Sequence, residues 1–452
     1  MDIISTLLYF VAVIYGIYAY AQHKYSHFIV VLYLIASYFS GFITIGIKPV
    51  DFFLMTVIPL GLANINLFRC ADDKLGKWIL YLLTYVFIVS FANILLGVEN
   101  IKYSLMLFRF HLIFIVYFLF KKIPYSDLLK AFHSLFYITV FSGIFYYLQY
   151  VGIVGILRGT DEDMNLNQQF LWFYNVPILT PAMLFYVCFS KKTIKYRFLY
   201  IIFFAGMIIG CMSRGYIIAN LLALGVYMIK NIRNRRNIIL ISSFGLIALF
   251  LLPVLSYRFS KSGSVGNGLY AELSMSKKIL SGTLDFNQFG SGAAVDNGTG
   301  VYRTLLIAEK IDYLAKSPIT FLFGGGAVHG SSPNIKRYNF RFGQSTIING
   351  RKEKQQIDTS DVAFLSNVFR YGFVYLFLFC GILYYSWKGM INKKTALFIA
   401  GWGYMATCLF QFYGSNRLEY VEYLFFILLV ASHIKHYNLY ETIRRIYRIN
   451  YT

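Results

Sequence analysis

The amino-acid sequence predicts an all-α, polytopic membrane protein with about 12–13 transmembrane helices and one large, partly helical outer loop. The 452-residue chain is 58% hydrophobic and only 14% charged, whereas soluble proteins are typically about 25% charged. Its apolar residues also come in consecutive blocks, and about 20 such residues are enough for a helix to cross the hydrocarbon core. The composition therefore excludes an ordinary soluble domain.

The apolar blocks that have the length of a span follow one another along most of the chain. They are residues 2–22, 27–46, 51–68, 77–98, 103–120, 131–151, 170–189, 197–212, 215–229, 237–255, 362–386, 395–413 and 418–434. Gly41, Gly46 and Pro49 interrupt the second and third blocks, so one of these is a candidate for a short or re-entrant segment. The chain divides into N-terminal transmembrane helices at 1–255, a large loop at 256–361, and C-terminal transmembrane helices with a tail at 362–452.

The basic residues indicate the orientation of these spans. The net charge is +22, from 42 basic and 20 acidic residues, and the basic ones collect in alternate connections. These connections are Lys121-Lys122, Lys191 to Arg197, Lys230 to Arg236, Lys388 to Lys394, and the tail with Arg444, Arg445 and Arg448. Loops rich in lysine and arginine stay in the cytoplasm, so the 256–361 loop is predicted to lie outside. Because the basic residues separate apolar blocks, the charge favours membrane orientation over nucleic-acid binding.

The outer loop is far longer than the usual connection of about 4–6 residues, and loops of this length are commonly functional. It contains Gly/Ser/Asn-rich stretches and one helical pattern between Val301 and Lys316, where apolar residues recur at Leu305, Ala308, Ile311 and Ala315. Ser317-Pro318 is typical of a helix end. The sequence therefore predicts a partly ordered cap over the membrane helices.

Three arginines near the outer face are candidate anion ligands. Arg214 lies between two spans that almost no loop separates, Arg258 follows the tenth span, and Arg303 opens the predicted loop helix. Arginine stays charged and binds phosphate oxygens in pairs, and a helix N-terminus also favours anions. For each residue the alternative is an arginine that reaches the interface or the surface. Together, three fixed cations suit a pyrophosphate delivered from the membrane.

Two residues are candidates for moving a proton. Asp361 ends the loop at the mouth of the eleventh span, where an apolar neighbourhood can raise the pKa of a carboxyl group enough for it to act as a base. His329 is the only histidine of the loop. A histidine side chain changes its charge near neutral pH and can therefore act as a general base. A helix cap at Asp361 and a solvated side chain at His329 are the structural alternatives.

Other motifs carry weaker signals. Arg109 and His111 lie inside the fifth span, where charge indicates function unless it is paired with an acidic group. The acidic segment 161–163 has the Asp-x-Asp form of some metal-dependent glycosyltransferases, but a solvated acidic loop is the commoner origin of so short a pattern. The glycines at 324–326 lack the GK[ST] of a nucleotide-binding loop and favour a tight turn. Glu419 and Glu422 are candidate partners for the arginines.

The order of these motifs resembles that of the bacterial O-antigen polymerase and O-antigen ligase superfamily. The resemblance rests on Ser213-Arg214-Gly215 at a short outer turn and on a large outer loop before the last three spans. It rests also on the loop sequence, where Arg303 precedes Ser317-Pro318 and Leu322-Phe323-Gly324-Gly325-Gly326, and on Ser360-Asp361 leading to Arg370-Tyr371-Gly372. It covers roughly residues 200–435, whereas the earlier spans match in hydropathy alone.

The resemblance implies a multi-pass protein of the bacterial inner membrane with its active site on the periplasmic side. Members transfer glycan from a polyprenyl-pyrophosphate carrier without nucleotide and usually without metal, so the resemblance implies no cofactor. Arg214, Arg258 and Arg303 would then bind the pyrophosphate, and Asp361, Arg303 and His329 would be catalytic. The implied partners are the polyprenyl-pyrophosphate-linked oligosaccharide, membrane lipids, and flippase and chain-length regulator proteins.

The position of Asp361 distinguishes two activities within this superfamily. Ligases resemble one another in having histidine there, so the aspartate favours a polysaccharide polymerase. The alternatives are an O-antigen ligase that transfers glycan to lipid A core, and a flippase or other transporter of lipid-linked oligosaccharide. A transporter more often shows internal repeats and broken helices, and this chain has no evident repeat.

The charge pattern generates a topology prediction. Single cysteines at Ser264 and Thr452 are expected to differ towards an impermeant thiol reagent in intact spheroplasts, with labelling at 264 alone. Permeabilised cells, in which both positions should react, are the control. Labelling at 452 but not at 264 would reverse the predicted orientation.

Overall fold

The computed structural model describes most of the chain. The described residues are 2–43, 49–64, 66, 73–153, 155–157, 173–190, 194–211, 213–230, 269–283, 299–343, 345–348, 351–354, 356–359, 362–393, 395–412, 414–415, 417–435 and 437. Several features singled out in the sequence lie outside them, namely the acidic segment 161–163, residues 231–236 of a basic connection, the predicted span 237–255, Arg258, Asp361 and the tail with Arg444, Arg445 and Arg448.

The described part of the chain is almost wholly helical. Its α-helices are α1 (Asp2–Ala21), α2 (Tyr25–Ala36), α3 (Pro49–Ala63), α4 (Lys74–Leu95), α5 (Ile101–His111), α6 (Val116–Phe120), α7 (Tyr125–Leu148), α8 (Thr180–Phe189), α9 (Arg197–Gly210), α10 (Arg214–Lys230), α11 (Leu269–Leu280), α12 (Thr299–Ala315), α13 (Pro318–Phe323), α14 (Leu365–Ile391), α15 (Ala396–Phe410) and α16 (Val421–Ser432). A 3₁₀ turn at Leu112–Ile115 joins α5 to α6. The loop adds one antiparallel strand pair, β1 (Ser345–Ile348) and β2 (Arg351–Lys354), in which Ser345 faces Lys354.

Within the described residues, five helical segments are long and apolar enough to cross a membrane. They are Ile3–Ala21, Lys74–Leu95, Ile101–Phe120, Tyr125–Val151 and Leu365–Ile391. Shorter apolar helices of 10–17 residues accompany them, namely α2, α3, α8, α9, α15 and α16. The predicted helical membrane fold is therefore confirmed in this coarse form, while the count of about 12–13 spans stays a prediction.

Two predicted spans are shorter than the apolar pattern suggested. The block at 27–46 forms a helix only to Ala36, because Tyr38, Phe39 and Ser40 all have positive φ and turn the chain. In the block at 170–189, the described residues 173–179 are not helical, and α8 begins at Thr180. Pro181 stands in its first turn, where the fixed φ of proline favours a helix start. Apolar composition alone therefore overestimated the lengths of both helices.

Basic connections that the sequence predicted to be cytoplasmic meet at one end of the helices. Lys230 at the end of α10 donates from Nζ to the carbonyl of Ile391 at 3.1 Å, so α10 and α14 end side by side. The Nε2 atom of His433, just after α16, lies 3.0 Å from the carbonyl oxygen of Ile123. Lys121 pairs with Asp73 at 2.7 Å. These contacts place the described ends of three basic connections at one end of the helices, and the side of the membrane on which that end lies stays a prediction.

The loop packs against the opposite end. The predicted loop helix is confirmed as α12, which runs from Thr299 to Ala315. Its apolar face enters a cluster of buried residues with α11 and the start of α14, formed by Ile279, Val301, Leu305, Leu306, Phe342, Val362 and Leu365. A second cluster joins the end of α12 to the loop and α14 through Leu314, Val328, Tyr338, Phe340, Ile357, Val368 and Phe369. Burial of these faces holds α11, α12 and the described residues near 328–342 against the start of α14.

Two glycines bring the loop and α14 into backbone contact. Gly324 (φ +94°) and Gly372 (φ +73°) both have left-handed backbones, and Gly372 kinks α14. A Cβ on Gly324 would collide with the carbonyl of Arg370, and one on Gly372 would collide with the carbonyl of Leu322. The Gly325 N–H donates to the carbonyl of Phe369 at 2.7 Å. Two motifs that are 48 residues apart in the chain therefore form one contact.

This contact predicts the effect of adding a single methyl group. The substitution Gly372→Ala is expected to destabilise the protein by about 2–5 kcal/mol, because left-handed strain costs about 1–2 kcal/mol and overpacking about 1–3 kcal/mol. The matched control is Gly225→Ala in α10, where an added Cβ meets nothing within 4 Å and alanine is the better helix former. Equal thermal unfolding temperatures for the two purified variants would contradict this account.

Candidate functional site

Arg214 is held in a buried ion pair at the loop-facing end of the helices. It opens α10, and its Nη2 atom lies 3.1 Å from Oε1 of Glu272 in α11. The two side chains are 12% and 4% exposed. A charge that is removed from water to this degree needs a partner, so Arg214 is fixed in position rather than extended into solvent.

The same carboxylate connects Arg214 to the start of α12. Oε2 of Glu272 accepts a hydrogen bond of 3.0 Å from the Gly300 N–H, in the first turn of α12. Free N–H groups at a helix N-terminus attract negative charge, and here a carboxylate of the protein itself provides it. Glu272 therefore brings the N-termini of α10 and α12 together.

Arg303 follows one turn further along α12. Its side chain is half-buried, and its Nε atom is buried without a hydrogen-bond partner among the residues that the structure describes. A Cβ added to Gly414 would lie 3.8 Å from Nη1 of Arg303, so the guanidinium adjoins the turn between α15 and α16. A buried N–H that lacks an acceptor is costly, and an anionic ligand would supply one.

Arg417 is a neighbouring cation that the sequence reasoning missed. Its guanidinium lies 4.5 Å from the ring centroid of Tyr216 and 5.1 Å from that of Tyr423. Tyr216 follows Arg214 by two residues, and Arg417 follows Gly414 by three. The available signal was its place in a short connection between two apolar blocks, the pattern that identified Arg214. Stacking on aromatic rings stabilises a cation without neutralising it.

The structure thus brings two of the predicted arginines into one region. Arg214 and Arg303 both lie at the N-terminal end of α12, with Arg417 on the adjoining turn. Glu419 in the same turn accepts a 2.8 Å hydrogen bond from Nδ2 of Asn367, which fastens the turn to α14. Three arginines therefore share this region with the carboxylates of Glu272 and Glu419.

His329 lies at a different junction, beside the connection between α4 and α5. Its backbone N–H donates to Oε2 of Glu99 at 3.0 Å, and its ring stacks on Tyr103 with centroids 5.7 Å apart. Glu99 is 2% exposed and also accepts hydrogen bonds from Ser332 and Asn334. Glu99 therefore anchors the turn that carries His329. Glu99 was not among the residues singled out in the sequence. The feature that pointed to it is a carboxylate in a short connection between two apolar blocks.

The mouth of α14 contains a second ion pair. Nη2 of Arg370 lies 2.6 Å from Oδ1 of Asp358, and its Nε donates to the carbonyl of Val328 at 2.9 Å. Arg370 is almost fully buried, whereas the Asp358 side chain is 37% exposed. Asp358 precedes the predicted base Asp361, which lies outside the described residues. Arg370 thus ties both the loop turn and the segment before α14 to this helix.

Arg109 and His111, the two polar residues singled out inside the fifth predicted span, both make contacts with other helices that explain their presence. Nη1 of Arg109 lies 2.7 Å from Oδ1 of Asp51 in α3, which confirms the alternative that an acidic group pairs with it. His111 packs edge-on against Tyr371 and Tyr375, with ring centroids 5.3 and 5.6 Å apart. These residues hold α3, α5 and α14 together, so they are separate from the arginine region.

Comparison with known proteins adds no family assignment, because the chain matches no protein-family model and no curated protein. Within the described ranges, no group of three or more His, Cys, Asp or Glu residues is placed to hold a metal ion. The properties of the site therefore rest on its own geometry, in which Arg214, Arg303 and Arg417 surround the start of α12.

The Glu272 contacts lead to a stability prediction. Glu272→Ala is expected to destabilise the protein by about 3–5 kcal/mol, because it removes one partner of a buried pair. Glu272→Gln should cost less, since the amide oxygen can still accept from the Gly300 N–H.

The control for this prediction is Asp312→Asn on α12. Asp312 pairs with Lys316 at 3.9 Å, and both side chains are more than half exposed, so its loss should cost less than about 1 kcal/mol. Thermal unfolding and limited proteolysis of the loop measure both effects. Glu272→Ala unfolding at the same temperature as Asp312→Asn would show that the pair does not hold α11 and α12.

Proposed function

We propose that this chain is an inner-membrane polysaccharide polymerase. A glycan linked to polyprenyl pyrophosphate is the donor, and a sugar hydroxyl of another lipid-linked repeat unit is the acceptor. The proposal is supported by the cluster of arginines at the end of the helices opposite the basic connections. A pyrophosphate that remains tethered to a membrane lipid would reach this level.

In the proposed reaction, the acceptor hydroxyl oxygen bonds to the anomeric carbon of the donor. The bond from that carbon to the pyrophosphate oxygen breaks, and polyprenyl pyrophosphate leaves with the electron pair. The hydroxyl proton passes to a base, for which Asp361 is the first candidate and His329 the second. Arg214, Arg258 and Arg303 are assigned to the pyrophosphate, on which negative charge grows as the bond breaks.

The observation that carries this proposal is the hydrogen bonding of the Arg303 side chain. Arg214 already has a carboxylate partner in Glu272, whereas Nε of Arg303 is a buried donor without an acceptor among the described residues. An oxygen of a pyrophosphate would complete the hydrogen bonding of this guanidinium in its planar, two-pronged geometry. The fixed donor would also stabilise the leaving group without further rearrangement.

The test compares Arg303→Lys with Arg303→Ala in membranes that contain lipid-linked repeat units. Both variants are expected to lose about 10²-fold in polymerisation rate, since lysine keeps the charge but not the two-pronged geometry. The control is Arg337→Lys, an exposed loop arginine that contacts the carbonyl of Gly97 and should polymerise normally. Full-length polymer from both Arg303 variants, at normal protein levels, would remove Arg303 from the site.

Glycan analysis of a strain that lacks the chain separates the reaction classes. Loss of a polymerase should leave glycans of a single repeat on the outer face of the membrane. Normal polymer that fails to reach lipid A core would instead indicate a ligase. Repeat units that stay on the cytoplasmic face would indicate a flippase, and either result would overturn the proposal.

A further inference from the structure

The short loop helix α13 presents an apolar surface that the protein does not cover. Its sequence is Pro-Ile-Thr-Phe-Leu-Phe, and none of its residues is buried. Ile319 is 70% exposed, Leu322 44% and Phe323 48%. A helix in a watery loop would bury these side chains or carry polar ones. The composition of α13 is instead typical of a surface in contact with lipid.

Contacts with two candidate membrane spans show where α13 lies. The hydroxyl of Tyr85 in α4 is 3.5 Å from the carbonyl oxygen of Leu322. The ring of Phe321 stacks on Phe373 of α14, with centroids 4.1 Å apart. The Leu322 carbonyl also abuts the kink at Gly372. These contacts lie along the length of the spans rather than at their ends.

The position of Tyr85 gives an estimate of depth. Tyr85 precedes the loop-facing end of α4, Leu95, by ten residues, which is about 15 Å at 1.5 Å per residue. Phe373 follows the start of α14 at Leu365 by eight residues and lies just past the kink at Gly372. Because the hydrocarbon core is about 30 Å thick, a depth of about 15 Å below the loop-facing end of a span corresponds to acyl chains rather than to headgroups.

Several backbone groups of the chain that returns from α13 are paired with groups of the protein, which is what hydrocarbon requires of a backbone at membrane depth. The Gly325 N–H donates to the Phe369 carbonyl at 2.7 Å, and the Gly325 carbonyl accepts from the hydroxyl of Tyr338 at 2.8 Å. Burial raises the pKa of Tyr338 to about 12, so its hydroxyl keeps the proton that it donates. Two residues on, the Ala327 N–H points to Oδ1 of Asn93 in α4 at 3.4 Å.

We propose that residues 317–326 form a re-entrant segment, and that acyl chains of the outer leaflet cover the exposed face of α13. The segment descends along α14 to Gly372 and returns along α4, from Tyr85 past Asn93 to Glu99. The exposed face of α13 continues the exposed apolar surface of the spans, where Phe377 of α14 is 66% exposed. This immersion holds the following turn, and α12 before it, at the membrane surface.

Spin-label accessibility tests the depth directly. The native cysteines at 70, 188, 211, 380 and 408 are replaced, and Ile319→Cys is labelled with a nitroxide in nanodiscs that hold one copy of the protein. Oxygen concentrates in hydrocarbon, whereas a neutral nickel chelate stays in water. The Ile319 label is expected to collide severalfold more often with oxygen than with nickel. The control is Lys336→Cys, an exposed position of the same loop, where nickel should dominate.

A second site guards against a local folding defect. Phe323→Cys lies at the other end of α13 and is also exposed, and the thermal unfolding temperature of each labelled protein is compared with that of the unlabelled chain. Oxygen-dominated collisions at both positions support the re-entrant segment. Nickel access at 319 and 323 equal to that at 336 would overturn it. Protection from both reagents would also overturn it, because protein rather than lipid would then cover α13.

Discussion

The contact between Gly324 and Gly372 is the constraint on which the arrangement of the loop depends. Each glycine leaves space for a backbone carbonyl of the opposite segment, and any side chain at either position would separate the two. The contact aligns the Gly325 N–H with Phe369 and places Tyr313 against Phe369 in the same cluster. Tyr313 lies near the end of α12. The position of that helix over α14 therefore depends on the close contact at Gly324 and Gly372.

Charges within the helical region are held by paired side chains. Arg109 meets Asp51, Lys121 meets Asp73, and Arg214 meets Glu272. Removing one partner from such a pair costs about 3–5 kcal/mol when the pair is buried, so each pair fixes the relative position of its two helices. Arg303 differs, since no carboxylate among the described residues forms an ion pair with it, and its Nε also lacks a hydrogen-bond partner there. A fixed cation with an unmet donor is an arrangement that favours ligand binding over stability.

The proposed polymerase site depends on how Glu272 and the loop divide these roles. Glu272 keeps Arg214 beside the start of α12, while the packed apolar face of α12 orients Arg303 towards the turn that carries Arg417. The cations are then held in position before any ligand arrives. Preorganised charge is more effective than mobile charge at stabilising a leaving group, because no reorganisation is needed during the reaction. Immersion of α13 would keep this arrangement level with a lipid-linked substrate.

The sequence by itself determined the helical membrane class, the helix at Val301–Lys316, and the arginines suited to an anion, because hydropathy, helical periodicity and side-chain chemistry are local properties. Only the tertiary structure decided which charges meet. Arg214 and Glu272 are 58 residues apart, and Glu99 and His329 are 230 apart, so no local pattern links them. It also decided the end of α2 at Ala36, set by backbone geometry rather than apolarity. The depth of α13 escaped prediction for the same reason, since six residues are too few to form a span and their partners lie on distant helices.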